Sequence, residues 1–203
     1  MMTRLITLVI VLASTVAFAV GCASDEGGEK KDDDGLGSFN GPSVTTSEED
    51  GLIIERFTLD DDDKHDVVKY FEEYADPDDE SITKRRLRKK EVDVNSDGKI
   101  DIVRHYDKLG TLTKEQLDVD LDGNADAISY FDNGELAKKE SLSKDASEIV
   151  ETRFYTDGSI IRVEKDLNND DKIDYWEYYE EGTLDRIGRD IDADGRADSW
   201  TRR

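Results

Sequence analysis

The feature that most constrains this chain is a nine-residue acidic pattern that returns at Asp93–Asp101, Asp118–Asp126, Asp166–Asp174 and Asp190–Asp198. Oxygen-bearing side chains hold positions 1, 3, 5 and 9, while Val94, Val119, Leu167 and Ile191 hold position 2 and Ile100, Ala125, Ile173 and Ala197 hold position 8. Position 6 is Gly98, Gly123 and Gly195, which reach positive φ at no steric cost, and Asp171 in the third copy, a poorer residue for left-handed backbone. Random acidic tracts scatter carboxylates over odd and even positions alike. Here the alternation turns apolar residues inward and lets the oxygens converge, which suits a calcium ion demanding six to eight oxygen ligands. Without a cation the clustered carboxylates repel one another. The competing account is a set of solvated acidic turns that bind nothing.

Six residues before the loops stand Leu87, Leu112, Ile160 and Leu184, and the same register passes through Leu52 and Leu136 in segments that lack the full pattern. The apolar column at 52, 87, 112, 136, 160 and 184 has steps of 35, 25, 24, 24 and 24, the signature of a tandem array of six units. Each unit runs from loop to aromatic strand, glycine turn and second strand. The aromatic strands are Val67–Phe71, Ile102–Tyr106, Ala127–Phe131, Arg153–Tyr155 and Tyr175–Tyr179, whose β-branched and aromatic content favours extended backbone. Turns follow at Asp132-Asn-Gly134, Thr156-Asp-Gly158 and Glu180-Glu-Gly182. The expectation is an all-β fold over residues 51–203, a repetitive antiparallel meander of about six β-hairpin units joined by acidic calcium-type loops.

Strand alternation puts Val68 and Tyr70, Val103 and His105, Ile128 and Tyr130, and Trp176 and Tyr178 on one face, with the leucine column expected to cover them. The opposite face, with Lys69, Arg104, Ser129 and Glu177, reads as wetter, although Phe71, Tyr106 and Phe131 also point there. The aromatic stripe and His105 are read as packing, and Trp200 as the closure of the last edge. Two units depart from the pattern. The first offers Thr58, Asp60, Asp62 and Asp66 with Asp63 in the glycine place, a weak fifth site at most. The fourth, Leu142 to Val150, has Lys144, Ala146 and Val150 at ligand places and is a spacer without a site. An insertion from Ala75 to about Ser81 leads into the basic run Lys84–Lys90. Contact with an anionic partner and pairing with acidic neighbours are the two readings of that run.

The formal charge of -23 over 203 residues argues against nucleic acid as a partner. His65 and His105 form no zinc spacing, and the lone Cys22 excludes an intramolecular disulfide. Near the start, Arg4 precedes an apolar run from Leu5 to Val20, the pattern of an export signal over residues 1–21. Ala19-Val20-Gly21-Cys22 resembles the bacterial lipobox, with alanine where leucine is commoner. That resemblance implies cleavage before Cys22 and its lipidation; an ordinary secretory signal and a buried thiol in an uncleaved helix are the alternatives. Several acyl chains, palmitate among them, anchor firmly to a membrane. Ala23, where aspartate often signals inner-membrane retention, favours the outer membrane by the enteric sorting rule. Residues 22–50 are rich in Gly, Ser, Lys and acidic residues and read as a disordered tether that holds the repeat domain off the lipid.

The loops resemble those of EF-hands and dockerins at positions 1, 3, 5 and 6. An EF-hand needs a bidentate glutamate at position 12 between two helices, where this chain has Arg104, Ser129, Glu177 and Thr201. The form with aspartate at position 9 is more similar to the loops of integrin-type β-propeller repeats, a likeness of nine residues per unit. It implies four calcium sites: Asp93, Asn95, Asp97 and Asp101; Asp118, Asp120, Asp122 and Asp126; Asp166, Asn168, Asp170 and Asp174; and Asp190, Asp192, Asp194 and Asp198. The backbone carbonyls of Lys99, Asn124, Lys172 and Arg196 would add a position-7 oxygen. The expected function is that of a calcium-binding, lipid-anchored protein of the cell envelope, a structural or interaction module with a protein or polysaccharide partner. An envelope adhesion component that binds its partner independently of metal is the alternative. No nucleophile, base or open metal outside the repeat suggests an enzyme.

Overall fold

The computed structural model describes residues 43–60 and 62–203. Thirteen strands follow one another in chain order: β1 (Ser43–Glu49), β2 (Leu52–Thr58), β3 (Val67–Ala75), β4 (Thr83–Val92), β5 (Ile102–Tyr106), β6 (Leu112–Leu117) and β7 (Ala127–Asp132). The series continues with β8 (Glu135–Leu142), β9 (Ile149–Thr156), β10 (Ser159–Lys165), β11 (Tyr175–Glu180), β12 (Thr183–Arg189) and β13 (Ser199–Arg202). Each strand pairs antiparallel with the next, so spatial order equals sequence order and the all-β meander of six hairpins stands as expected, with β13 added at its end. Contacts between elements join only consecutive strands. The sheet is therefore a single open layer, and β1 and β13 are its two edges among the described residues.

A single layer cannot build a dry interior, because each face meets water. Ile54, Val68, Ala127 and Val163 are the buried apolar residues, and none of the described side chains falls below 2% exposure. Most strand positions on both faces are half-buried, shielded by their cross-strand neighbours. This corrects the expectation of one covered and one wet face: Ser129, placed on the wet side, is buried at 7% exposure.

The turns follow local chemistry. Asp50-Gly51, Asn133-Gly134, Asp157-Gly158 and Glu181-Gly182 all have positive φ at both residues, the two-residue hairpin turn whose twist matches that of the flanking strands. The first of these turns creates a strand that lies within the expected tether. Ser43–Glu49 is polar and mostly exposed, yet it pairs along its full length with Leu52–Thr58, so among the described residues the sheet includes 43–49, ahead of the expected start at 51.

The five later hairpins share a register shift. Leu87 opposes Phe71 while Lys89 opposes Tyr70, leaving Arg88 as an extra residue. Thr113, Ala137, Ile161 and Asp185 are the corresponding extras. Such bulges increase local twist and reset which side chains oppose one another. Their effect is to place Leu87, Leu112, Leu136, Ile160 and Leu184 opposite Phe71, Tyr106, Phe131, Tyr155 and Tyr179. The leucines thus meet the second aromatic column, not the stripe containing Tyr70 and Tyr130.

That stripe is covered by cations. Consecutive registers align Tyr70, Lys89, His105, Lys114, Tyr130, Lys138, Phe154, Arg162, Tyr178 and Arg186 in one row across the sheet. Lys89 lies 4.9 Å from the Tyr70 ring, Lys138 4.1 Å from Tyr130, Arg162 4.0 Å from Phe154 and Arg186 4.6 Å from Tyr178. Each such pair stabilises by about 0.5–1 kcal/mol at an exposed site. The neighbouring row adds hydrogen bonds from Tyr70 to Glu91 and from Tyr130 to Glu140. Burial, followed by the Glu91 bond, pushes the Tyr70 hydroxyl up to about 12. On β13 the Trp200 ring lies 5.7 Å from that of Tyr178 and covers Gly188 of β12, but it stays half exposed and β13 remains an open edge, so Trp200 packs against the last hairpin without closing the sheet.

Candidate metal centre

In a meander, alternate connections fall on opposite edges of the sheet. The tight turns lie along one edge, while the segments 58–66, 93–101, 118–126, 142–150, 166–174 and 190–198 follow one another along the other. The ladder runs into this edge. Asp93 donates its N–H to the Asp66 carbonyl at 2.9 Å, Asp118 to Asp101 at 2.8 Å and Asp190 to Asp174 at 2.9 Å. Position 1 of one loop is thereby fixed beside position 9 of the loop before it.

Within a loop the carboxylates first serve the backbone. The position-9 aspartate accepts the N–H of position 2, at 2.6 Å for Asp101 from Val94 and Asp126 from Val119, and at 2.7 Å for Asp174 from Leu167 and Asp198 from Ile191. Position 5 accepts from position 7: Asp97 from Lys99, Asp122 from Asn124, Asp170 from Lys172 and Asp194 from Arg196. Position 3 accepts from position 5 in three loops, Asp60 from Asp62, Asn95 from Asp97 and Asp192 from Asp194. Positions 4 and 6 both have left-handed backbone: Ser96, Leu121, Asn169 and Ala193 at φ 58, 61, 59 and 60, and Gly98, Gly123, Asp171 and Gly195 at φ 89, 93, 63 and 87. The position-4 bend has no common residue type and is invisible in the sequence.

The position-1 aspartate separates the loops. In three of them it accepts at both oxygens. Asp118 takes the N–H of Leu121 and Gly123, Asp166 that of Asn169 and Asp171, and Asp190 that of Ala193 and Gly195. Asp93 takes only that of Gly98, at 2.7 Å through Oδ2. Position 4 of this loop is tied sideways instead, with the Ser96 hydroxyl donating to Asp66 at 2.9 Å. Asp93 Oδ1 and Asp101 Oδ1 are buried without a hydrogen-bond partner, in residues only 4% and 2% exposed.

Carboxylates converge in two other loops, whereas among the described residues those of 93–101 and 166–174 form no such group. Oxygens of Asp118, Asp120 and Asp126 lie within 4.8 Å of one another, as do those of Asp190, Asp192 and Asp194. The two triads use positions 1, 3 and 9 in one case and 1, 3 and 5 in the other, so neither gathers all four expected side chains. Crowding has an electrostatic signature. Asp198, then Asp194, raises the Asp192 carboxyl above its ordinary value. Burial pushes Asp190 up, but the N–H groups of Gly195, Ala193, Asp194 and Asp192 outweigh it and hold Asp190 low. The first segment makes the same backbone bonds, Leu59 donating to Asp66, Asp62 to Asp60 and Lys64 to Asp62, but its Asp63 does not take up the left-handed conformation.

The basic run sits on β4 and is largely committed to ion pairs. Lys84 meets Asp76, Arg85 meets Glu73 and Glu55, Arg86 and Arg88 meet Glu72, and Lys89 meets Glu91. The geometry follows the second reading of the run, pairing with acidic neighbours. Cys22 and the expected export signal lie outside the described residues.

No family model matches the chain, and no curated protein matches it. Among solved structures, the complex of accessory secretory proteins 1, 2 and 3 of Streptococcus pneumoniae is similar at TM-score 0.33 and 15% identity, over 61% of this chain and 19% of that one. The glycosylation-associated protein complex of Streptococcus agalactiae is similar at TM-score 0.27 and 16% identity, over 66% of this chain and 20% of that one. The chain spans about a fifth of the length of each. Likenesses of this size say nothing about what the chain does.

Proposed function

We propose that the protein is a calcium-binding module of the cell envelope, tethered through a lipidated Cys22, whose sheet serves a structural or protein-interaction role. The observation that carries this reading is the pair of bare oxygens at positions 1 and 9 of one loop, Asp93 Oδ1 and Asp101 Oδ1. A buried acceptor without a donor costs about 1–3 kcal/mol, and more when charged. A divalent cation removes that cost and binds only the folded arrangement, so it stabilises by mass action. Hard oxygen ligands with a variable number of carboxylates suit calcium better than magnesium, which keeps its waters and demands stricter geometry. The loop 93–101 supplies Asp93, Asn95, Asp97 and Asp101 to such an ion, and the triads at 118–126 and 190–198 support further sites.

Thermal unfolding of the full chain in excess chelator and in millimolar calcium tests the metal. The midpoint rises with calcium, and an unchanged midpoint overturns the reading. Anchoring is tested separately: labelled fatty acid enters the chain in cells and is lost in Cys22→Ser, whereas equal labelling of both removes the lipid anchor.

A second reading, a metal-independent envelope component that binds protein or polysaccharide, is favoured by the cation–aromatic row on an open sheet face. Partner capture in chelator from intact envelopes separates the two. Capture that survives chelator and is abolished by Lys114→Glu with Arg186→Glu supports the second reading; capture that needs calcium removes it.

A further inference from the structure

We infer that the acidic loops are coupled in series by lysine straps, and that the straps divide the loop edge into two blocks. Three lysines, each at position 7 of its own loop, reach into the following loop. Lys64 Nζ donates to the Ser96 carbonyl at 3.2 Å, Lys99 Nζ to that of Asp122 at 2.7 Å, and Lys172 Nζ to that of Ala193 at 2.8 Å. Their stems cross the position-6 glycine of the loop they enter. A Cβ at Gly98 would stand 3.0 Å from Lys64 Cδ, one at Gly123 2.5 Å from Lys99 Cδ, and one at Gly195 3.5 Å from Lys172 Cδ.

The correspondence holds at every loop. Where the preceding segment has no lysine at position 7, position 6 is not glycine: Asn124 precedes the turn containing Ser147, and Glu148 precedes Asp171. Asp63 belongs to the first loop, which no other precedes among the described residues. Left-handed backbone alone does not require glycine here, because Asp171 adopts φ 63 at the same position. The three glycines sit further out, at φ 89, 93 and 87, with the strap lying across them. Glycine at position 6 and lysine at position 7 of the loop before it are thus one device. Loops 58–66, 93–101 and 118–126 form one block, loops 166–174 and 190–198 the other, and the 143–148 turn is the break. An ammonium held on a carbonyl of the next acidic loop also supplies part of the positive charge that loop needs.

The mechanical part of this inference is independent of calcium; the coupling of cation sites within a block rests on the calcium reading. Amide hydrogen exchange of the full chain in chelator tests the first. Lys99→Met raises exchange about tenfold or more in loop 118–126 and leaves 190–198 unchanged, and Lys172→Met does the reverse. Unchanged exchange in the downstream loop, or equal loosening of both blocks, overturns the inference. A second measurement concerns the glycine. Gly123→Asn lowers the melting temperature, and at least half of that drop disappears when Lys99→Ala is already present; equal drops in the two backgrounds overturn the pairing of glycine and strap. With calcium added, Lys99→Met changes the affinity of loop 118–126 and not that of 190–198. Equal shifts at both loops overturn the block boundary, whereas no calcium binding at all removes the calcium reading and leaves the exchange result standing.

Discussion

The loop at 93–101 and the turn at 143–148 hold equivalent places on the same edge, and they satisfy their polar groups in different ways. The turn closes on itself. Ser143 donates its N–H to Glu148 at 2.9 Å, Ala146 donates to Ser143 at 2.8 Å, and Asp145 Oδ1 accepts from the hydroxyls of Ser143 and Ser147 at 2.8 and 2.7 Å. It still joins the ladder, with Leu142 N–H on Asp126 at 2.8 Å and Asp166 N–H on Val150 at 3.2 Å. Stacking along the edge therefore needs no aspartate at positions 1 and 9. Asp93 and Asp101 each give one oxygen to the backbone of their loop and keep the other, Oδ1, without a donor, which is the difference from the turn that supports the proposed ion.

The largest expected effect separates these two regions by metal. Calcium at a hundredfold excess over its dissociation constant stabilises a one-site protein by about 2.7 kcal/mol. Asp93→Asn with Asp101→Asn removes the contribution of loop 93–101, while Ser143→Ala with Ser147→Ala leaves the calcium shift at its wild-type size; calorimetry with and without chelator measures both. Next comes backbone strain, which the turn shares with the neighbouring acidic loop 118–126. Leu121 at φ 61 and Ala146 at φ 55 have left-handed backbone, which costs a residue with Cβ about 1–2 kcal/mol. Leu121→Asn and Ala146→Gly each raise stability by about 1 kcal/mol in denaturant titrations, independently of calcium. A gain at only one site would show that the bends are strained differently.

Acid sharpens the contrast. Bonds from Ser147 and Ser143 hold the Asp145 carboxyl below its usual value. Its stabilising effect is present above the unfolded value and is lost as pH falls through the lower folded one, so Asp145→Asn flattens that part of the pH–stability curve. Asp192 behaves oppositely. With its value raised by Asp198 and Asp194, its protonation relieves the apo loop as pH falls through the raised folded value. On the proposed calcium reading, affinity at 190–198 falls over the same acid range, because the ion competes with protons; isothermal titration at a series of pH values reads it, and an absence of binding heat at every pH removes the site. The smallest effect lies away from the edge. Burial, followed by Lys89 and Lys114, lowers the His105 value. Stability falls as pH drops from the unfolded histidine value through the lowered folded one, since the fold holds the ring neutral. His105→Tyr removes this dependence and adds about 0.5–1 kcal/mol from a new cation–π contact, measured by denaturation at mildly acidic pH.

The repeat, the hairpins and the candidate loops were legible because each rests on local chemistry: alternating aspartates, aromatic strands and turns such as Asn133-Gly134. The strand Ser43–Glu49 carries no apolar alternation and is specified by its pairing through the Asp50-Gly51 turn, a signal too short to weigh against its polar composition. The partners of the leucine column were misread because a bulge such as Arg88 shifts facing by one residue, and nothing in residue type marks it. The single layer was equally hidden, since strand alternation does not say whether a second sheet covers the apolar side. At the loops, the position-2 residues Val94, Val119, Leu167 and Ile191, expected to turn inward, are exposed because a single layer offers them no interior. The pattern named the oxygens but not their first use as acceptors of backbone N–H. That use leaves Asp93 different from Asp118, Asp166 and Asp190, although the four are identical in sequence position.

A sheet in which every ribbon touches only its two neighbours has no centre to disturb. Its length is a free variable. Excising one 24-residue period, from Ile160 to Thr183, would bring like against like across the new seam, and inserting a period would extend the ruler by two strands of about 4.8 Å each. A gene that duplicates or loses such periods would change the reach of the molecule in measured steps without redesigning any interior.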